Sequence, residues 1–308
     1  MRHAALVSAG CSALFVLVYA GTNALAAARG DLPTFHFDWE LAIPRIPWMV
    51  VPYMSIDLLF IVVPFLCASS RERTIFARRV GTAILIAGIC FVLWPLQPAF
   101  ARTPVEGPFA PVFEALWGFD QPHNLFPSLH VALGFILRWT YHRHLRGRAR
   151  LLMHAWMVLV TASTLFTHQH HVIDVLGGGA LGLFVFYLYP TGLIARTDVR
   201  VARAPSRRWA VRYAAGSALL ALLALGQGGW AALLLGWAAL ALAIVALGYG
   251  PLGPRVFRKY GGYLSAPSRI LLAPYLVPLG LTRHLFWRRQ QNAGRRRKIA
   301  AVLAEHAR

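Results

Sequence analysis

The sequence predicts an all-α integral membrane protein with about eight transmembrane helices, built on a six-helix core. Three observations carry this expectation. Of 308 residues, 57% are hydrophobic and only 14% charged, against about 25% charged in ordinary soluble domains. The apolar residues fall into blocks close to the ~20 residues a spanning helix needs. The charges lie in short clusters between those blocks. There are 31 Lys and Arg against 11 Asp and Glu, a net charge of +20, and their segregation into clusters argues for membrane orientation and no nucleic-acid partner. Cys11, Cys67 and Cys90 lie inside apolar blocks without CxxC spacing, so neither a disulfide framework nor a thiolate zinc site is expected.

The apolar blocks fall at 4–28, 47–68, 80–97, 127–141, 151–168 and 173–190, followed by 213–249, which is long enough for two spans broken at Gln227-Gly228-Gly229. The fourth is short and ends in Arg138, His142 and Arg143, side chains that can snorkel to the interface. The first block, with Met1-Arg2-His3 before it and Ala24 to Ala28 at its end, also has the pattern of a cleaved signal peptide; residue 30 is outside on either reading. Alternate loops carry Arg71, Arg73, Arg78 and Arg79, then Arg143, Arg146, Arg148 and Arg150, then Arg196 to Arg212. By the positive-inside rule these are cytoplasmic. Loops of the other parity carry Asp31, Asp38 and Glu40, then Glu106, Glu114 and Asp120, and face outward. The expected organisation is an N-terminal span and outer loop (1–46), a catalytic membrane core (47–190), a basic loop with two accessory spans (191–250), and an interfacial segment with a basic cytoplasmic tail (251–308). Pro274 and Pro278 interrupt the stretch 256–287, which therefore reads as lying on the membrane rather than crossing it, and Arg295 to Lys298 suit anionic inner-leaflet lipid.

Two polar stretches sit at outward ends of spans. One is Phe126-Pro127-Ser128-Leu129-His130; the other runs from Ser163 to Asp174 and contains His168, His170 and His171. His170 and Asp174 are four apart and share a helical face; His171 and Asp174, three apart, could do the same, and spacing does not choose between them. A carboxylate on one imidazole nitrogen leaves the other free as nucleophile or base. Pro127 suits a helix start, so N–H groups around Ser128 and Leu129 are expected to form an anion site beside His130. Arg102 is a phosphate-binding candidate. Asp57, inside the second span, is an accessory candidate with Arg102 as its expected partner. Gly177, Gly178 and Gly179 lie within the sixth span, where small residues serve close helix packing rather than phosphate binding.

These residues resemble the type 2 phosphatidic acid phosphatase superfamily. Its second signature, Pro-Ser-Gly-His, is matched by Pro127-Ser128-Leu129-His130 with Leu for Gly. Its third, Ser-Arg, five residues, His, three residues, Asp, is matched by Ser163, Thr164, His170 and Asp174 with Thr for Arg. The resemblance implies that His170 is the nucleophile of a phosphohistidine intermediate, Asp174 its partner and His130 the acid for the leaving group, with no metal and no cofactor. The first signature, Lys, six residues, Arg-Pro, is represented by Arg102 alone, since position 95 is proline. The Ser-Leu-His and Ser-Thr variants look more like the branch with inositol-phosphoceramide-type lipid phosphotransferases. The stretch from Arg269 to Leu281 looks like the join to a dual-specificity phosphatase in bacterial fusions, which implies a cytoplasmic phosphatase partner.

The expected function is a membrane lipid phosphatase acting on a phospholipid or other lipid phosphate. The alternatives are a lipid headgroup phosphotransferase and a non-catalytic His-rich membrane binder or transporter. The expected location is a cell inner membrane, multi-pass, with the active site facing the periplasm. The two missing family cations favour a phosphodiester monoanion over a phosphomonoester dianion, unless His123, His168 and His171 supply positive charge. Thr164 and His171 are further accessory candidates.

Overall fold

A computed structural model describes residues 1–190, 206–227, 229–260, 263–284 and 286–287. The chain forms two compact units, Met1–Gly192 and Leu193–Arg308. Arg196, Arg200 and Arg203 of the third basic cluster, and Arg295 to Lys298 of the tail, lie outside the described residues.

The first unit contains α1 (Arg2–Ala27), α2 (Val50–Leu66), α3 (Ser70–Leu93), α4 (Ala110–Phe119), α5 (Leu129–His144), α6 (Gly147–Phe166) and α7 (Val172–Leu188). All but α4 contribute to one apolar core, which includes Cys11, Phe60, Ile84, Phe91, Ile136, Val160 and Val185. Outward from it, Leu17, Leu58, Leu85, Ile89 and Leu152 are more than half exposed, as a lipid-facing surface requires. Six of the described helices are long and apolar enough to cross a membrane. The other two expected spans, α5 with 16 residues and α7 with 17, fall short of the ~20 a bilayer asks for.

Local chemistry sets the ends. Helix α3 begins ten residues before the expected block, because Ser69 caps it by accepting from the Glu72 N–H; it stops at Leu93, two residues before Pro95. Arg79, expected as a loop cation, is instead buried: its Nε donates to the Tyr189 carbonyl at the end of α7 (2.9 Å), and its guanidinium lies 3.9 Å from the Phe186 ring centre. A cation thus meets the negative end of a helix dipole. Between α6 and α7, His168 adopts a left-handed conformation with φ 59°, and the resulting turn directs the N–H groups of both Gln169 and His170 to the Thr164 carbonyl. Helix α4 is the element the sequence reading did not anticipate; it packs Phe113 and Leu116 against Val50 and Tyr53 of α2.

In the second unit, α8 (Arg207–Leu225) and α9 (Gly229–Tyr249) form a hairpin, tied by the Ser217 hydroxyl donating to the Ala239 carbonyl and by stacking of Tyr213 on Tyr249. There follow a 3-10 turn (Gly253–Phe257), the two-residue strands β1 (Lys259–Tyr260) and β2 (Tyr263–Leu264), antiparallel to each other, and α10 (Ala266–Leu271). Apart from that small hairpin, the described secondary structure is helical.

Candidate functional site

The site lies where the C-terminal ends of α1, α3 and α6 meet the N-terminal ends of α2, α5 and α7. Two loops, 28–46 and 94–128, close over this end. The first is fastened to its surroundings by backbone bonds: Ile46 N–H donates to the Phe166 carbonyl and Gln97 N–H to the Pro33 carbonyl. A narrow cleft opens here, lined by Arg102, Asp120, Asn124, His168, Gln169 and His170 among others.

His170 is 7% exposed and its Nδ1 stands 3.6 Å from Asp174 Oδ2. The same oxygen accepts the His171 N–H at 2.8 Å, so the first turn of α7 fixes the carboxylate. His171 points elsewhere. Its Nε2 accepts from the Ala99 N–H (3.1 Å), which leaves the proton on Nδ1 to be donated to Glu40 Oε2 (3.1 Å). With both ring nitrogens engaged and 1% exposure, His171 is unsuited to nucleophilic attack. Of the two histidines, His170 is the one that lines the cleft. Burial pushes the His171 pKa down, against the pull of Asp174 and Glu40.

His130 stacks on the Tyr53 ring, with centroids 4.1 Å apart, and its Nε2–H donates to the Tyr53 carbonyl (2.9 Å). Nδ1 is thus the nitrogen left for proton transfer. His130 sits beside the cleft rather than in its wall, close enough to His170 for their charges to interact.

At the anion site expected around Ser128 and Leu129, the Ser128 donor is already engaged. Ser128 N–H donates to the Asp174 carbonyl (2.9 Å), the Ser128 hydroxyl accepts the Val131 N–H, and both residues are buried away from the cleft. The reason is the close approach of α7, which takes the donor a phosphate would need. Thr164 is fully buried, its hydroxyl donating to the Thr161 carbonyl at 2.7 Å, and it serves the His170 loop through its own carbonyl. Asp57 is exposed and forms no ion pair with Arg102 among the described contacts. Arg102 instead donates from Nη2 to the Asp120 carbonyl (2.6 Å) while still lining the cleft. Burial pushes its pKa down, whereas Asp120 pulls it up.

At the histidines expected to supply extra positive charge, burial works against the charged form. Burial lowers the pKa of His168, opposed by its bond to the Ile43 carbonyl, and burial together with Arg102 lowers that of His123. Among the described residues, no group of three or more His, Cys, Asp or Glu is arranged to hold a metal ion.

Two site carboxylates were not anticipated. Glu40 Oε2 accepts from His171 and from the Val172 N–H (2.8 Å), and Oε1 from the Phe37 N–H (3.0 Å). Asp120 accepts the hydroxyls of Tyr19, a short contact, and of Tyr53 at 3.3 Å. In the sequence both are merely acidic residues of outward loops, and no local pattern marks either one.

Comparison with known proteins gives one family. The PAP2 superfamily matches residues 34–188. No curated protein and no solved structure matches the chain. Because the match spans half of the chain, and runs from just ahead of Glu40 to the end of α7 with His130, His170 and Asp174 inside it, the chain belongs to the PAP2 superfamily.

Proposed function

We propose that this protein transfers a phosphoryl group from a membrane lipid phosphate through a phosphohistidine at His170, without a metal ion, at the outward face of a cell inner membrane. Membership of the PAP2 superfamily supports a phosphatase- or phosphotransferase-type enzyme in general. The observation that carries the finer reading is the His170 Nδ1 to Asp174 Oδ2 approach of 3.6 Å at the wall of a polar cleft, while the neighbouring His171 is fully engaged.

In this reading Asp174 faces the Nδ1–H of His170 and stabilises the positive charge that develops on the ring. Nε2 attacks phosphorus, the bond from phosphorus to the lipid alcohol oxygen breaks, and that oxygen takes a proton from Nδ1 of protonated His130. Water then attacks phosphorus, the N–P bond breaks, and the water proton returns to His130. Arg102 is the fixed cation available to the phosphate oxygens. With water as acceptor the enzyme is a lipid phosphatase. With an alcohol it is a headgroup phosphotransferase, a reading favoured by Gln121, Asn124 and Gln169 in the cleft wall, whose amides can hydrogen-bond hydroxyl groups.

The test is phosphorus NMR on protein reconstituted in lipid micelles with EDTA, supplied with phosphatidic acid and a mixed phospholipid extract. Turnover should disappear in His170→Ala and fall by about 10²- to 10⁴-fold in Asp174→Asn, the range of a general acid–base contribution. Free phosphate as product identifies the phosphatase; new phosphodiester signals identify the transferase. Retained turnover in His170→Ala overturns the proposal.

A further inference from the structure

The carboxylate of Asp120 stands in the wall of the cleft that holds His170. A phosphate site does not ordinarily keep an acidic group so near, since like charges oppose binding and the effect grows where water is excluded. Here the fold secures that group. Tyr19 from α1 and Tyr53 from α2 both donate their hydroxyls to it, and Arg102 holds the same residue through its main-chain carbonyl. Three separate segments therefore converge on Asp120, and two of them fix its carboxylate in the wall of the cleft. Neither tyrosine neutralises it.

The charge balance of the cleft is consequently narrow. Arg102 is the only Lys or Arg among the described lining residues. Burial disfavours the charged forms of His123 and His168, and His171 is bonded at both nitrogens away from the cleft. Asp57 on α2, outside the cleft wall, is near enough to Asp120 for their charges to interact. Burial raises the Asp120 pKa, but the two tyrosine hydroxyls, His170 and Arg102 all act in favour of its charged form. One fixed cation facing one fixed anion leaves little to compensate a dianionic phosphate, whereas a monoanion is balanced by the positive charge that forms on His170 during attack.

We propose that Asp120, oriented by Tyr19 and Tyr53, is a specificity-determining residue that makes the site select lipid phosphodiesters, which carry one negative charge on phosphorus, over phosphomonoesters, which carry two. This rests on the reading of the cleft as the phosphoryl-transfer site and narrows its substrate class.

The experiment measures binding, so that it does not depend on finding the acceptor. Dissociation constants of dioctanoylphosphatidylglycerol and dioctanoylphosphatidic acid are determined calorimetrically on the detergent-purified full chain at pH 8, for wild type and Asp120→Asn. The wild type should bind the diester at least tenfold more tightly, and Asp120→Asn should reduce that preference at least tenfold. A second comparison needs no variant. The second pKa of a phosphomonoester is about 6, so at pH 5 phosphatidic acid is largely a monoanion and the wild-type preference should shrink, and any protonation of Asp120, which removes the charge that sets the preference, acts in the same direction. A wild type that binds phosphatidic acid as tightly as the diester at pH 8, or a ratio that neither Asp120→Asn nor pH 5 moves, overturns the role of Asp120. Those results combined with turnover lost in His170→Ala would leave the phosphohistidine reading standing. Binding of neither lipid overturns both.

Discussion

Two adjacent histidines, His170 and His171, differ in what surrounds them rather than in where they fall in the chain. His171 is locked by Glu40 on one nitrogen and by the Ala99 N–H on the other, with Phe100 stacked against its ring; its main-chain N–H meanwhile holds Asp174 for His170. Glu40 is thus the bolt that joins loop 28–46 to the start of α7. Every donor aimed at its two oxygens is an N–H, so Glu40→Gln must turn an NH2 group toward at least one of them. An unsatisfied buried donor costs about 1–3 kcal/mol. Glu40→Gln should therefore lower thermal stability in detergent and reduce turnover at least tenfold, whereas Glu106→Gln, at an exposed loop position, should change neither. Equal behaviour of the two variants would show that the bolt is not needed. The sequence pattern could bring His130, His170 and Asp174 to notice because their spacing is local. Glu40 and His171 are 131 positions apart, and Tyr19 and Asp120 are 101 apart; contacts of that separation are made by the fold and leave no periodicity to read.

At the level of elements, the close seam between α5 and α7 decides whether the two polar stretches meet. A Cβ on Gly178 would lie 2.3 Å from the Ser128 carbonyl oxygen and 2.9 Å from the Val131 Cβ, and one on Gly182 would lie 2.9 Å from the Phe135 Cβ. The glycine run in the sixth expected span therefore serves helix packing. Gly178→Ala should push α7 from α5, weaken the Ser128 to Asp174 backbone bond and cost about 1–3 kcal/mol as an overpacked contact does; reduced thermal stability together with reduced turnover is the expected result. Gly10 in α1 has nothing within 4 Å of its Cβ position, so Gly10→Ala should be neutral or stabilising by about 0.5–1 kcal/mol. The spans themselves were legible because apolar block length is a direct consequence of bilayer thickness. Helix α4 was not, since its ten residues are too few to span and it is packed by tertiary contacts with α2. The early start of α3 was masked by its arginines, which hydropathy counts against a span although Ser69 caps the helix.

Across the first unit, charge and chemistry separate to opposite ends of the helices. Glu40, Arg102, Asp120, His130 and His170 gather where α2, α5 and α7 begin, while Arg71, Arg73, Arg78, Arg143, Arg146 and Arg148 lie where α2 and α5 end and α3 and α6 begin. A basic excess within short loops keeps them cytoplasmic, so the arrangement favours an outward face for the cleft. Single-cysteine labelling tests this on the intact protein. Glu106, in loop 94–128, and Arg148, at the start of α6, are both exposed. The native cysteines give little background: Cys11 and Cys67 are buried and Cys90 is half-buried, with Cys11 and Cys90 inside long apolar helices and Cys67 directly after another. A membrane-impermeant maleimide applied to intact cells should label Glu106→Cys at once and Arg148→Cys only after permeabilisation. The reverse pattern would place His170 and the cleft on the cytoplasmic side, and the proposed lipid substrate would then have to come from the inner leaflet.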